Sequence, residues 1–150
     1  MKVFYAGSFD PFTIGHRSIV DRALAMFGGV VIGVGVNTGK KPWQPLAERL
    51  AAIRALYAGD PRVEVTSYEG LTCDAARACG AGALLRGVRT VADFEYERNL
   101  ADVNRNISGL ESVLLLALPE LASVSSSLVR ELAAFGAPYD RFLPKIRGSF

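Results

Sequence analysis

The sequence predicts a single three-layer α/β domain on a five-stranded parallel sheet, and three observations carry that expectation. Short runs rich in Val, Ile and Leu alternate along the chain with stretches of helical periodicity. The run Val30–Val36 is apolar on both faces, which suits a central strand of a parallel sheet. No repeat, low-complexity tract, charged tail or Pro/Ser-rich linker divides residues 1–150, so they read as one domain.

Taken in order, Val3–Ala6 forms the first strand. A loop from Gly7 to Thr13 leads to a helix from Gly15 to Phe27, with Ile19, Val20, Ala23, Leu24 and Phe27 on its apolar face. After the second strand, a loop carrying Lys40 and Lys41 precedes a helix over Pro45–Tyr57. Val63–Ser67 is the third strand and Thr72–Cys79 a short helix. Ala83–Leu85 opens a fourth strand that runs into Arg86–Arg89, followed by a helix over Val91–Asn106. Val113–Ala117 is the fifth strand, and a helix opens near Ser125 and runs to Phe135. Tyr139–Ile146 adds a further helical turn or two. Such an order implies βαβ units with right-handed crossovers, that is, a Rossmann-like fold.

Composition bounds the partners. Of the 150 residues, 50% are hydrophobic and 21% charged, an ordinary globular balance. A formal net charge of +2 is too small to make nucleic acid or an acidic membrane the main partner, whereas an anionic small molecule fits. The N-terminal apolar stretch is too short for a signal-peptide core, and no run approaches the ~18 apolar residues of a spanning helix, so the expected location is cytoplasmic. Cys73 and Cys79, six apart on a helix, face different ways, and a single histidine leaves no zinc-ligand set. Both cysteines read as packing residues.

In parallel sheets, ligands bind beyond the carboxyl ends of the strands, where the winding reverses. The unusual residues of the chain follow strands 1, 2, 4 and 5 at that edge. In Gly7–His16, Gly7 allows a close backbone approach, Ser8 offers a hydroxyl and an N–H, and Gly15 opens the helix. His16, the only histidine, stands on the first helical turn and can donate to a phosphate oxygen. Taken alone, the same segment could be a tight turn capped by Thr13 with His16 at the surface. Lys40-Lys41-Pro42 is either a solvated turn or a point-charge anchor for an anion. Arg86 and Arg89 project at the ligand edge, where the arginine fork matches phosphate oxygens. Glu97, one turn after Asp93, could face the site. Ser125, Ser126 and Ser127 offer one cap and a surplus of donors, which suits a second phosphate cradle. Other phosphate motifs are excluded. Thr38 stands where a dinucleotide fingerprint on Gly33-Val34-Gly35 needs glycine, and Val34 and Lys41 break a P-loop. No G-x-S-x-G elbow is present.

With those segments in hand, the chain resembles the bacterial phosphopantetheine adenylyltransferases of the coenzyme A pathway. Thr13-Ile14-Gly15-His16 resembles the [T/S]-x-G-H signature of the wider nucleotidyltransferase superfamily, and Val124–Arg130 its second motif, ISSSxxR. The narrower likeness rests on Lys40-Lys41-Pro42, Leu85–Arg89, Ala92–Glu97, Asn104-Arg105 and Glu111-Ser112-Val113, and it spans about residues 2 to 145.

The resemblance implies an enzyme that moves AMP from ATP to 4′-phosphopantetheine, giving dephospho-coenzyme A and pyrophosphate. ATP contacts are implied at Ser8, Phe9, His16, Gly87, Val88, Arg89, Glu97, Ala122, Ser123, Val124, Ser125, Ser126, Ser127 and Leu128. Phosphopantetheine contacts are implied at Ser8, Lys40, Thr72 and Arg86. His16 corresponds to the residue that steadies the transition state. Mg²⁺ is implied with the ATP, without a protein ligand set for the metal, and so are a homohexamer and feedback inhibition by coenzyme A. The chain departs from the pattern at Ile14, a variable position, at Leu121 in place of an aromatic, and at Thr72 in place of a larger apolar residue; the tail after Leu143 is short. Two alternatives stay open: another nucleotidyltransferase, acting on nicotinamide mononucleotide or as a cytidylyltransferase, and a non-catalytic nucleotide-binding module.

Overall fold

The computed structural model describes residues 1–147; the last three residues of the expected domain, 148–150, lie outside the described residues. Five parallel strands form one sheet: β1 (Lys2–Gly7), β2 (Gly29–Gly35), β3 (Val63–Tyr68), β4 (Ala83–Val88) and β5 (Glu111–Leu116). Their spatial order is β3-β2-β1-β4-β5, so the winding reverses between β1 and β4. The helices are α1 (Ile14–Leu24), α2 (Leu46–Leu56), α3 (Thr72–Ala78), α4 (Val91–Ser108) and α5 (Ser126–Ala134). The three-layer α/β architecture expected from the sequence is present.

Strand alternation explains the two cores. Val3 and Tyr5 of β1 point to one face, where they meet Val30, Ile32 and Val34 of β2, Leu85 of β4, and Ile19, Val20 and Ile53 from α1 and α2. Phe4 and Ala6 point to the other face and pack with Val31, Leu84 and Ala76 of α3. Each fully buried side chain of this size contributes about 1.5–3 kcal/mol, so the centre of the sheet is the rigid part of the molecule. Gly33 is required there, because any Cβ at that position would run into the ring of Phe4.

Some element ends shift. α1 stops at Leu24, where the N–H groups of Met26 and Phe27 turn back to the carbonyl of Ala23. β5 starts two residues early, at Glu111. A 3-10 turn, Pro119–Leu121, precedes α5, and the expected C-terminal helical turns reduce to one 3-10 turn, Asp140–Phe142. Among the described residues no helix is long and apolar enough to cross a membrane.

Candidate active site

The loop after β1 is shaped by its own aromatic residues. Phe9 sits in the left-handed region at φ 46°, and its ring folds under Gly7, where a Cβ would come within 2.9 Å of it. The rings of Phe9, Phe12 and Tyr5 then surround the imidazole of His16, with centroids 5.0, 5.4 and 6.3 Å away. Thr13 caps α1, and the cap is reciprocal. Its hydroxyl accepts the His16 N–H at 3.4 Å, and His16 Nδ1 accepts the Thr13 N–H at 2.9 Å. Because a backbone N–H can only donate, the ring proton must sit on Nε2. Burial, reinforced by the positive charges of Arg86 and Arg89, pushes the imidazole pKa down to about 3. His16 is therefore a neutral N–H donor at physiological pH.

The opposite wall comes from β4 and α4. Arg86 ends the apolar part of β4, and its fork closes on the carboxylate of Glu97 through Nε, at 3.0 and 2.9 Å, and Nη2, at 2.7 Å. Nη1 donates to the carbonyl of Ala6. Burial opposes the charge of Arg86, but the carboxylate of Glu97 outweighs it and the guanidinium pKa is raised. One N–H on each of Nη1 and Nη2 is left for other partners. Arg89 pairs with Asp93 at 3.7 Å and donates to the carbonyl of Ala122 at 3.3 Å.

The third wall is the start of α5. Ser125 is the N-cap and accepts the Leu128 N–H at 3.0 Å. Ser126 donates to the carbonyl of Pro11 at 2.7 Å, and Ser127 accepts from Arg130 at 3.1 Å. The three hydroxyls expected to form a phosphate cradle thus have distinct structural tasks. What α5 presents to the cleft is its first turn, whose N–H groups a helix cannot pair internally.

These walls enclose a cleft of about 410 Å³ beyond the carboxyl ends of β1 and β4, at the point where the strand order reverses. Of the residues singled out from the sequence, Ser8, Phe9, His16, Arg86, Gly87, Val88, Arg89, Glu97, Val124, Ser125, Ser126 and Ser127 line it. Ala122, Ser123 and Leu128 do not. Lys40 and Thr72 also lie outside this cleft. Lys40 is exposed in the turn after β2, which Gly39 stabilises by donating to Asn37 Oδ1 at 3.0 Å. Thr72 heads α3, 2.9 Å from the hydroxyl of Tyr68, and lines a neighbouring cavity of about 30 Å³ that shares Arg86 and Glu97 with the cleft.

Sequence reading singled out neither Asp10 nor Arg49 nor Arg130 for a role of its own. Arg130 donates to the carbonyl of Asp10 at 2.7 Å and Arg49 to that of Ser8 at 2.7 Å, so both brace the loop after β1. Arg49 had a signal: it stands one turn before Ile53 on the buried stripe of α2, where an unpartnered charge would be costly. Among the described residues no group of His, Cys, Asp and Glu side chains could hold a metal ion. The two carboxylates on the cleft, Asp93 and Glu97, are both engaged by arginines.

Comparison with known proteins decides the family. A family model described as cytidylyltransferase-like matches residues 4–132. Phosphopantetheine adenylyltransferase from Phocaeicola vulgatus is 51% identical over 144 residues, covering 96% of this chain and 95% of its own length. That from Porphyromonas gingivalis is 49% identical over 141 residues, covering 94% and 92%. The chain belongs to the phosphopantetheine adenylyltransferase family. It is accordingly a nucleotidyltransferase of coenzyme A biosynthesis. A solved bifunctional NMN adenylyltransferase/ADP ribose pyrophosphatase from Francisella tularensis shares the fold, with a TM-score of 0.69 at 16% identity over 95% of this chain and 44% of that one. A lipopolysaccharide core biosynthesis protein from Thermoplasma volcanium aligns with a TM-score of 0.55 at 18% identity, over 79% and 96%.

Proposed function

We propose that the chain transfers AMP from ATP to 4′-phosphopantetheine, releasing pyrophosphate and dephospho-coenzyme A, by direct in-line attack of the acceptor phosphate on the α-phosphorus. One observation carries this reading: a neutral imidazole, locked as an Nε2–H donor, lines a cleft between two helix N-termini and two arginines. The acceptor phosphate is already anionic at neutral pH, so the reaction needs neither a general base nor a covalent enzyme intermediate.

The residues then have separable tasks. His16 and the first turn of α1 stabilise the charge that builds on the α-phosphate. Arg89 and the first turn of α5 hold the β- and γ-phosphates. The two N–H groups of Arg86 that neither Glu97 nor the Ala6 carbonyl takes, together with Lys40, place the incoming phosphate. Ser8 and Thr72 flank the acceptor arm. Holding two reactants in line supplies on the order of 7–11 kcal/mol, and a donor aimed at developing charge about 3–4 kcal/mol. Orientation is therefore the larger part, and His16 is worth roughly two to three orders of magnitude in rate. Mg²⁺ would come with the nucleotide, held by phosphate oxygens and water, and would neutralise part of the triphosphate charge. The engagement of Asp93 and Glu97 by arginines supports that arrangement over a protein cage.

A cytoplasmic homohexamer under feedback by coenzyme A accompanies this reading. The exposed apolar residues of α4, Val91, Phe94, Tyr96, Val103 and Ile107, would supply contact surface for it. The test is an acceptor panel with pyrophosphate detection. Release from ATP with 4′-phosphopantetheine, and not with nicotinamide mononucleotide or from CTP with phosphorylated alcohols, is the expected result. Preference for one of those partners would replace the reading, and ATP binding without turnover on any acceptor would make the chain a nucleotide-binding module.

A further inference from the structure

Two loops that the proposed reaction needs on opposite sides of the transferred group meet at one side chain. Asp10, 8% exposed, stands in the phosphate loop after β1. Its Oδ2 accepts the N–H of Trp43 at 2.7 Å and its Oδ1 the N–H of Gln44 at 2.8 Å. Trp43 and Gln44 close the segment after β2 that carries Lys40 and Lys41. The backbone carbonyl of the same Asp10 takes Arg130 of α5 at 2.7 Å, on the side of the second motif. Arg49, 5% exposed, adds a parallel tie: Nη1 donates to the carbonyl of Ser8 at 2.7 Å and Nε to that of Gln44 at 3.1 Å.

A carboxylate that gives each oxygen to one backbone N–H makes two charge-assisted bonds, stronger than neutral ones and fixed in geometry. The near-complete burial of the carboxylate sharpens this, because losing it leaves two part-buried N–H groups unpaired. The Lys40 segment makes few other contacts of this kind. Its turn bonds, Lys40 to Asn37 at 3.3 Å and Gly39 to Asn37, lie within the segment and do not tie it to the sheet. Its hydrogen-bonded anchor is therefore the pair of bonds at Asp10, together with Arg49 behind it, beside the edge contact of the Trp43 ring with Tyr139 at 5.9 Å.

We infer that Asp10 is a positioning residue that fixes the Lys40-bearing segment against the phosphate loop, so that the acceptor anion is presented in register with the nucleotide. The inference rests on the proposed acceptor role of Lys40 and adds the residue that sets its place. Asp10 touches neither substrate in this scheme; it acts through the backbone of Trp43 and Gln44. Its loss should therefore fall on the acceptor side, leaving the nucleotide side, which Arg130 continues to brace through a backbone carbonyl that any residue supplies.

The chain's single tryptophan is Trp43 itself, so its fluorescence reports the segment directly. The experiment compares wild type with Asp10→Asn and Asp10→Ala in the full-length protein. It reads acrylamide quenching and hydrogen exchange of the Trp43 and Gln44 amides, then KM for 4′-phosphopantetheine and for ATP by pyrophosphate release. Expected are faster amide exchange, stronger quenching and an acceptor KM raised tenfold or more, with the ATP KM within about threefold. Equal rises in both KM values, or amides as protected as in wild type, would overturn the inference. Should Asp10→Ala fail to fold, Asp10→Asn decides, since it keeps shape and one acceptor. Amide exchange and quenching need no turnover. If wild type proves inactive on this acceptor while the Asp10 variants release the segment, the clamp stands and the proposed acceptor role falls.

Discussion

His16 and Thr13 hold each other's backbone: the imidazole Nδ1 takes the Thr13 N–H at 2.9 Å while the Thr13 hydroxyl takes the His16 N–H at 3.4 Å. One side chain therefore both starts α1 and presents its remaining N–H to the cleft. Glutamine, with glutamate a usual partner in such a reciprocal cap, can do the first task, but its amide N–H hangs on a flexible stem and is not fixed by an aromatic cage as Nε2–H is. His16→Gln should keep stability within about 0.5 kcal/mol of wild type, whereas His16→Ala should lose about 1 kcal/mol. Both should lose turnover. Urea unfolding beside pyrophosphate release separates the two tasks, and recovery of activity in the Gln variant would assign His16 to the cap alone.

The ionisation of His16 gives a second expectation. Its folded pKa lies near 3, below the ordinary value of 6.5, so the unfolded chain binds the proton first as pH falls. This group adds no penalty above pH 6.5 and destabilises the fold progressively from there toward pH 3. With a single histidine in the chain, the imidazole ¹⁵N resonances need no assignment. They should show a neutral Nε2–H tautomer unchanged from pH 8 to pH 5 in the free protein. A midpoint near 6.5 would mean that the ring is solvated and charged in the wrong range.

Arg86 and Glu97 should behave as one unit. Glu97 is 5% exposed and carries a bidentate pair, so Glu97→Ala leaves a partly buried guanidinium without its anion. Breaking such a pair costs about 3–5 kcal/mol, and the partial exposure of Arg86 places this one near the lower end. Glu97→Gln should cost less than half as much and raise the acceptor KM more than the ATP KM, because it frees the fork to rotate. An ATP KM that rises alone would put Glu97 on the nucleotide instead.

Periodicity and motif chemistry carried the fold and most of the cleft. Val30–Val36 is legible because a strand covered on both faces must be apolar on both. Thr13 and His16 are legible because a cap and a donor three residues apart share one helical turn. What stayed hidden is pairing across long separations. Nothing in the spacing of Arg86 and Glu97 says that the arginine spends its fork on the carboxylate, since a strand end and a helix start intervene. The ties from Asp10 to Trp43 and from Arg49 to Ser8 span 33 and 41 residues, and only the sheet brings them together. The start of α5 falls where the serine run places it. Ser125 takes the cap, and Ser126 is drawn off to the carbonyl of Pro11.

The role of His16 is tested most directly by measuring single-turnover pyrophosphate release and ATP affinity together in wild type and His16→Ala. The expected result is a rate at least 10²-fold lower with ATP binding within about tenfold, the signature of a donor that acts on the transition state more than on the bound substrate. A variant that turns over at a comparable rate, or one whose rate falls only in proportion to lost ATP affinity, would contradict it.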